Sequence, residues 1–159
     1  MRKLIVISIL VIVVISFLSI SSSRGGTGKG TYIDTLEAER LKYMNEVLAS
    51  IKGKQKMDVD SVFKNLQLFK GAKNFKADHF LLMMNIGWGK GLGVSCTYCH
   101  VAGKWESDEK PTKQIAREMY GIRQMVNSRL ATIKNLQSSS PLINCGTCHQ
   151  GRPIPAGDW

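Results

Sequence analysis

Apolar residues dominate from Leu4 to Ile20, broken only by Ser8, Ser16 and Ser19, and no later stretch matches this run. It is longer than the roughly 7–15 apolar residues of a signal peptide. It lies near the lower limit of about 17 for a membrane-spanning helix. Arg2 and Lys3 precede it and favour an inside N-terminus. The pattern predicts an uncleaved N-terminal transmembrane helix over residues 1–21, with a removed signal peptide as the alternative; either way the chain is exported. Residues 22–31, rich in serine and glycine, read as a flexible linker. Residues 32–159 are then one domain.

Within that domain the period is mostly helical. Ile33, Leu36, Met44, Val47, Leu48 and Ile51 predict an amphipathic helix over Tyr32–Lys52, capped by Thr31 and ended by Gly53. Val62–Leu68 partly alternates, which predicts a short extended piece. Ala77–Ile86 predicts a short helix with Asp78 in its first turn. Gly87, Gly89, Gly91 and Gly93 follow, and are expected to stop it and to bring the backbone close to a flat ligand. Val101–Lys110 is polar loop. Ile115, Met119, Ile122, Val126, Leu130 and Ile133 step by four, three, four, four and three, predicting a helix over Thr112–Leu136 that Ser138–Pro141 ends. Gly151, Pro153 and Pro155 keep the tail irregular. The fold class is mainly α.

The cysteines change this picture most. All four of them, and two of the three histidines, fall in Cys96-Thr97-Tyr98-Cys99-His100 and Cys145-Gly146-Thr147-Cys148-His149. Each is Cys-x-x-Cys-His, the attachment signature of c-type haem. On a helical turn, residues i and i+3 share a face. Both sulfurs then reach one porphyrin edge, and the next residue puts an imidazole on the iron. Zinc sites also use paired cysteines, but at spacings of roughly 15–20 residues, far shorter than the Cys99–Cys145 interval. A dithiol redox centre leaves both histidines unexplained. Two covalently bound haem c groups are expected, in a small multihaem domain built on its haems and poorly structured without them. Export agrees, since c-type haem is attached outside the cytoplasmic membrane.

The chain has 159 residues and a formal charge of +10. A basic carrier suits an acidic docking surface or anionic headgroups. No recognition helix or aromatic-basic pattern points to nucleic acid. The glycine-lysine cluster near residue 29 lacks the strand and spacing of a phosphate loop.

Counting ligands constrains the irons. Two electron-transfer haems need four axial ligands, and beyond His100 and His149 only His79 is left. At least one distal ligand is therefore another residue, most plausibly methionine, or the position is open. Met83, Met84 and His79 are candidates for the first haem, and Met119 and Met125 for the second. Met119 lies on the apolar stripe and Met125 faces elsewhere. Met44 reads as core, and His79 as a surface or partly buried histidine.

Phe63–Leu68, Phe80 with Met84 four residues on, the first motif, Lys113–Met119, Asn127, and Cys145–Pro155 together resemble the cytochrome subunit of photosynthetic reaction centres. The resemblance covers roughly residues 62–155. It implies that each haem packs along a helix supplying an axial methionine: Met84 for the first and Met119 for the second. Spacing from Phe80 aligns Met84, while counting back from Cys96 aligns Met83, because the glycine loop is one residue longer here; Met84 is preferred. That subunit holds four haems as two such units, and this chain holds one unit, without the spare histidines of a bis-histidine haem.

The cofactor-binding set is thus Cys96, Cys99, His100, Cys145, Cys148, His149, Met84 and Met119. His100, His149, Met84 and Met119 are the iron ligands. No residue does bond-making chemistry in this reading. The expected function is a single-pass dihaem cytochrome c with its haem domain on the periplasmic side of the cytoplasmic membrane. It relays single electrons between a membrane redox complex, reaction centre or respiratory, and a soluble electron carrier. A dihaem peroxidase-like enzyme and a haem-based redox or gas sensor are the rival classes.

Overall fold

The computed structural model describes residues 29–155 and 157. The expected N-terminal anchor, residues 1–21, lies outside the described residues. Among those described, no helix is long and apolar enough to cross a membrane. Thr31–Trp159 forms one compact unit.

The described chain is mainly helical and has no strand, only two isolated bridges, Asp58 with Lys76 and Val101 with Lys104. Five α-helices are joined by a π-helical and a 3₁₀ segment. They are α1 (Lys29–Ser50), α2 (Val59–Val62), α3 (Ala77–Leu82), α4 (Pro111–Leu130) and α5 (Cys145–His149). Helix α1 starts before Thr31, so Thr31 is not its cap. Its end is as the pattern predicts: Gly53 takes a left-handed φ of 83°. The extended piece expected at Val62–Leu68 is absent. Val59–Val62 is a helical turn instead, and the chain then coils so that Phe63, Phe69 and Phe75 all reach Phe80 at ring separations of 5.4–6.0 Å. That aromatic cluster needs several chain directions, which a single strand would not supply.

The glycine run also departs from expectation. It does not stop the helix. Met83–Lys90 continues α3 as a π-helix, and only Gly93, at φ 64°, turns the chain away. A π-helix is wider than an α-helix, and small residues let its outer turns be approached closely. A Cβ on Gly89 would lie 2.6 Å from the Arg40 side chain, and one on Gly93 1.9 Å from the Gly151 carbonyl oxygen. The close approach is therefore to protein backbone and to Arg40. Buried Arg40 is 3% exposed and donates to Asn85 Oδ1 and the Val94 carbonyl, locking α1 against the π segment.

Helix α4 opens with Pro111 at its first turn, where the missing N–H costs nothing. It stops at Leu130, one and a half turns short of the predicted Leu136. Asn127 is the reason the chain leaves: its side chain brackets Ile143, donating to the carbonyl at 3.0 Å and accepting from the amide at 2.7 Å. Among the described residues only six apolar ones are buried, and of these only Val59 and Ala77 fully. The interior is mostly two hollows.

Candidate functional site

The first motif is held as a 3₁₀ turn, Cys96–Tyr98, and the His100 amide donates to the Cys96 carbonyl at 3.0 Å. The turn presents Cys96, Cys99 and His100 to one cavity of about 580 Å³. Cofactor pockets usually span roughly 300–1,000 Å³. The walls are largely apolar: Val47 from α1, Phe63 and Phe80 from the aromatic cluster, Met84 and Trp88 from the π segment. Met84 lines this cavity and Met83 does not. His79 is exposed on α3 and lines neither hollow. Met44, read from sequence as core, lies on the cavity wall with the Asn85 amide 3.6 Å from its sulfur.

The His100 ring is oriented by one bond. Its Nδ1 lies 2.9 Å from the Trp105 carbonyl oxygen. A carbonyl only accepts, so Nδ1 carries the hydrogen and Nε2 keeps a free lone pair. Burial pushes His100 below its ordinary pKa, although the Trp105 bond opposes this. The imidazole is therefore neutral at neutral pH, as a metal ligand must be. The same carbonyl accepts from Lys113 Nζ at 3.1 Å. Lys113 is buried, reaches the Ser107 carbonyl at 2.8 Å and pairs with Asp108 at 3.2 Å. The Arg117 guanidinium, 2.8 Å from Asp108, holds that carboxyl well below the usual carboxylate range.

The second motif forms α5. Asn144 caps it reciprocally: its side chain accepts from the Thr147 amide, while its own amide donates to the Thr147 hydroxyl. His149 is 9% exposed, and its Nδ1 lies 3.0 Å from the Arg152 carbonyl oxygen. The tautomer argument is the same, and Nε2 is again free. Cys145, Cys148 and His149 line a cleft of about 150 Å³. Ile115, Met119 and Ile122 of α4 form its other wall. These side chains are 42–57% exposed, which explains an apolar stripe left facing outward. Met125 is 64% exposed and lines no hollow.

Backbone joins the two sites. The Gly151 amide donates to the Gly91 carbonyl at 3.0 Å, and a Cβ on Gly91 would meet the Gly146 amide at 3.2 Å. The segment carrying Met84 is thus seamed to the one carrying His149. Trp88, Cys99 and Ala116 line both hollows. Trp88 stacks on Tyr120 of α4 with ring centroids 5.6 Å apart and planes 21° from parallel.

The donor set at each hollow, two cysteines, one imidazole with Nε2 open and at least one thioether, fits haem c better than the alternatives. Among the described residues no three His, Cys, Asp or Glu side chains approach closely enough to hold an ion. Burial raises the Cys96, Cys99 and Cys145 thiols above their ordinary pKa. A dithiol exchange centre needs the opposite shift.

Sequence reasoning missed the parts that orient and connect. The Trp105 and Arg152 carbonyls are backbone atoms five and three residues beyond the histidines, with no side-chain signature. Lys113 looked like one more solvated lysine. Trp88 carried no periodic signal inside a run read as loop.

Known proteins resemble the chain in the same terms. The photosynthetic reaction centre cytochrome C subunit family matches residues 20–159. A photosynthetic reaction center cytochrome c subunit from Thermochromatium tepidum is 36% identical over 64 residues, 40% of this chain and 15% of that protein. Cytochrome c-554 of Chloroflexus aurantiacus is 38% identical over 63 residues, 39% of this chain and 15% of its own length. The Rubrivivax gelatinosus reaction center subunit is 35% identical over 75 residues, 40% of this chain and 20% of that one. The chain therefore spans about a fifth or less of the curated relatives it matches. No solved structure matches it. With the family match running from residue 20 to the last residue, the chain belongs to the photosynthetic reaction centre cytochrome c subunit family.

Proposed function

We propose that the protein is a membrane-tethered dihaem cytochrome c that relays single electrons on the outer face of the cytoplasmic membrane. One repeated observation carries the reading. Each Cys-x-x-Cys-His motif faces a hollow with methionine on its wall, Met84 and Met44 at the first and Met119 at the second, and each histidine has Nδ1 committed to a carbonyl and Nε2 open.

Cys96 and Cys99 would hold one haem by thioethers, and Cys145 and Cys148 the other. His100 and His149 would be the proximal ligands, Met84 and Met119 the distal ones. When bound, haem c supplies an iron that cycles between the ferrous and ferric states. The chain does the rest. The Trp105 and Arg152 carbonyls fix the imidazole tautomer and orientation. The Phe63–Phe80 cluster excludes water from the first hollow. Methionine ligation favours a higher reduction potential than a second histidine would. Trp88, Cys99 and Ala116 form a wall one residue thick between the hollows, short enough for electron transfer without a mobile carrier.

Residues 1–21 would anchor the domain, and the linker expected over 22–31, whose last three residues α1 takes up, would give it reach. The partners would be a membrane redox complex, reaction centre or respiratory, and a soluble carrier. That two relatives are reaction centre subunits supports the first kind.

A redox titration with spectra, combined with intact mass, tests this. We expect a mass equal to the polypeptide plus two haems, two one-electron steps, and a methionine-to-iron charge-transfer band. In Met119→Ala one potential falls and the band weakens, while the other step stays. A mass of bare polypeptide or polypeptide plus zinc would overturn the reading. So would a high-spin ferric haem that turns over peroxide.

A further inference from the structure

Charge is not spread evenly over this chain. Residues 52–76 hold seven lysines against two acids, Asp58 and Asp60. That net of five is half of the whole chain's +10. Two of the lysines are neutralised locally, Lys56 by Asp78 at 2.5 Å and Lys76 by Asp58 at 2.7 Å. Lys52, Lys54, Lys64, Lys70 and Lys73 are exposed and make no ion pair among the described residues. The lobe is also placed by its apolar side chains. Phe63, Leu66, Leu68 and Phe69 point into the first cavity, and exposed Lys64, Asn65 and Gln67 complete its lining. Residues 62–69 are therefore one wall of the first site; Lys64 lies on it, and Lys52, Lys54, Lys70 and Lys73 flank it along the chain.

We propose that residues 52–76 are the docking face for an acidic redox protein that exchanges electrons with the first site. Three observations converge: cations unpaired among the described residues that no fold requirement explains, their concentration on one short stretch, and that stretch's part in the wall of the first hollow. A field of one sign at the mouth of a site raises encounter rates by about 10–10³-fold and orients the partner as it arrives. One electron passes between the partner and the first site, and no bond is made or broken. An anionic membrane would also bind such lysines, but would cover the wall that a redox partner has to reach. The proposal rests on the electron-carrier reading and adds where and with what kind of partner the exchange takes place.

The test uses the haem-loaded full chain in detergent and two small outer-sphere oxidants: hexacyanoferrate(III), an anion, and tris(phenanthroline)cobalt(III), a cation. We expect the anion to oxidise the reduced protein in a phase that slows steeply with salt, as the screening length falls to about 3 Å at 1 M. Lys54→Glu/Lys64→Glu/Lys70→Glu should slow that phase by roughly tenfold or more at low salt, and speed the cation. Lys104→Glu/Arg129→Glu/Lys134→Glu changes net charge equally on other exposed surfaces and should leave the phase nearly unchanged. Equal effects of the two triple variants would overturn the proposal, because net charge alone would then suffice. So would unchanged oxidation rates in the lobe variant together with loss of its binding to phosphatidylglycerol vesicles, which would make the lobe a membrane contact. Intact mass and the haem spectrum of each variant report separately on the carrier reading.

Discussion

The two motifs have the same five-residue pattern and the same histidine-to-carbonyl bond, yet their surroundings differ. The first faces a cavity of about 580 Å³ with an aromatic cluster on its wall. The second faces a cleft of about 150 Å³ whose wall is an exposed stripe of α4. A buried cation, Lys113, sits on the carbonyl that orients His100. The carbonyl that orients His149 accepts from no lysine or arginine among the described residues. If both sites hold haem c as proposed, identical ligands in different charge environments would give two different potentials. The nearby cation disfavours a ferric iron, so on the dihaem reading the first site should be the higher of the two.

Removing the attachment cysteines gives the largest contrast. The first hollow is the larger, about 580 Å³ against about 150 Å³, so losing a haem there leaves more apolar wall without a partner. Whole-domain stability is only about 5–15 kcal/mol. Cys96→Ala/Cys99→Ala should therefore fail to accumulate as folded protein. Cys145→Ala/Cys148→Ala should survive with one haem by intact mass. Equal survival of both would erase the distinction between room and cleft.

The seam between the sites comes next. Gly93→Ala places a methyl against the Gly151 carbonyl at a left-handed φ and should cost about 2–4 kcal/mol. Thermal melts followed at the haem bands should show both sites lost together and earlier. Gly121→Ala, on a helix with nothing within 4 Å, should raise the melting temperature slightly.

A smaller effect sharpens the electrostatic difference. Lys113→Met frees the Trp105 carbonyl to accept more strongly from His100, which makes the imidazole a better donor. The first potential should fall, by 59 mV for about each tenfold change in the one-electron equilibrium, while the second holds. Lys113→Arg should restore it. Two potentials moving in step would place the effect on overall fold.

The smallest effect is with pH. The folded-state pKa of Asp108 is lowered, chiefly by Arg117. Its contribution is thus present above the unfolded carboxylate value of about 3.9, and fades as pH falls from there toward the lower folded value. Asp108 is exposed, so the loss is slight. Chemical denaturation between about pH 4 and pH 2 should show the first site loosening before the second, and Asp108→Asn should flatten that slope.

Much of this was legible in the residues. Cys-x-x-Cys-His and the α4 period located both motifs and Met119. Which of Met83 and Met84 lines the first cavity was not, and the π segment accounts for that. Counting back from Cys96 assumes an ordinary helix and then a loop. Met83–Lys90 is wound wider and takes up the additional residue. The glycines misled for a related reason. Glycine's cost in a helix is about 1 kcal/mol, and contacts through Gly89, Gly91 and Gly93 outweigh it, as no local propensity could reveal. The aromatic cluster was invisible because its members meet across turns rather than along a period.

The glycine seam sets how such a protein can grow. Gly91 and Gly93 close against Gly146 and Gly151, so half of this domain lacks a surface on which to fold. A longer chain of haems made by gene duplication would have to copy both motifs and the stretch between them in one event. The smallest heritable module here is a pair.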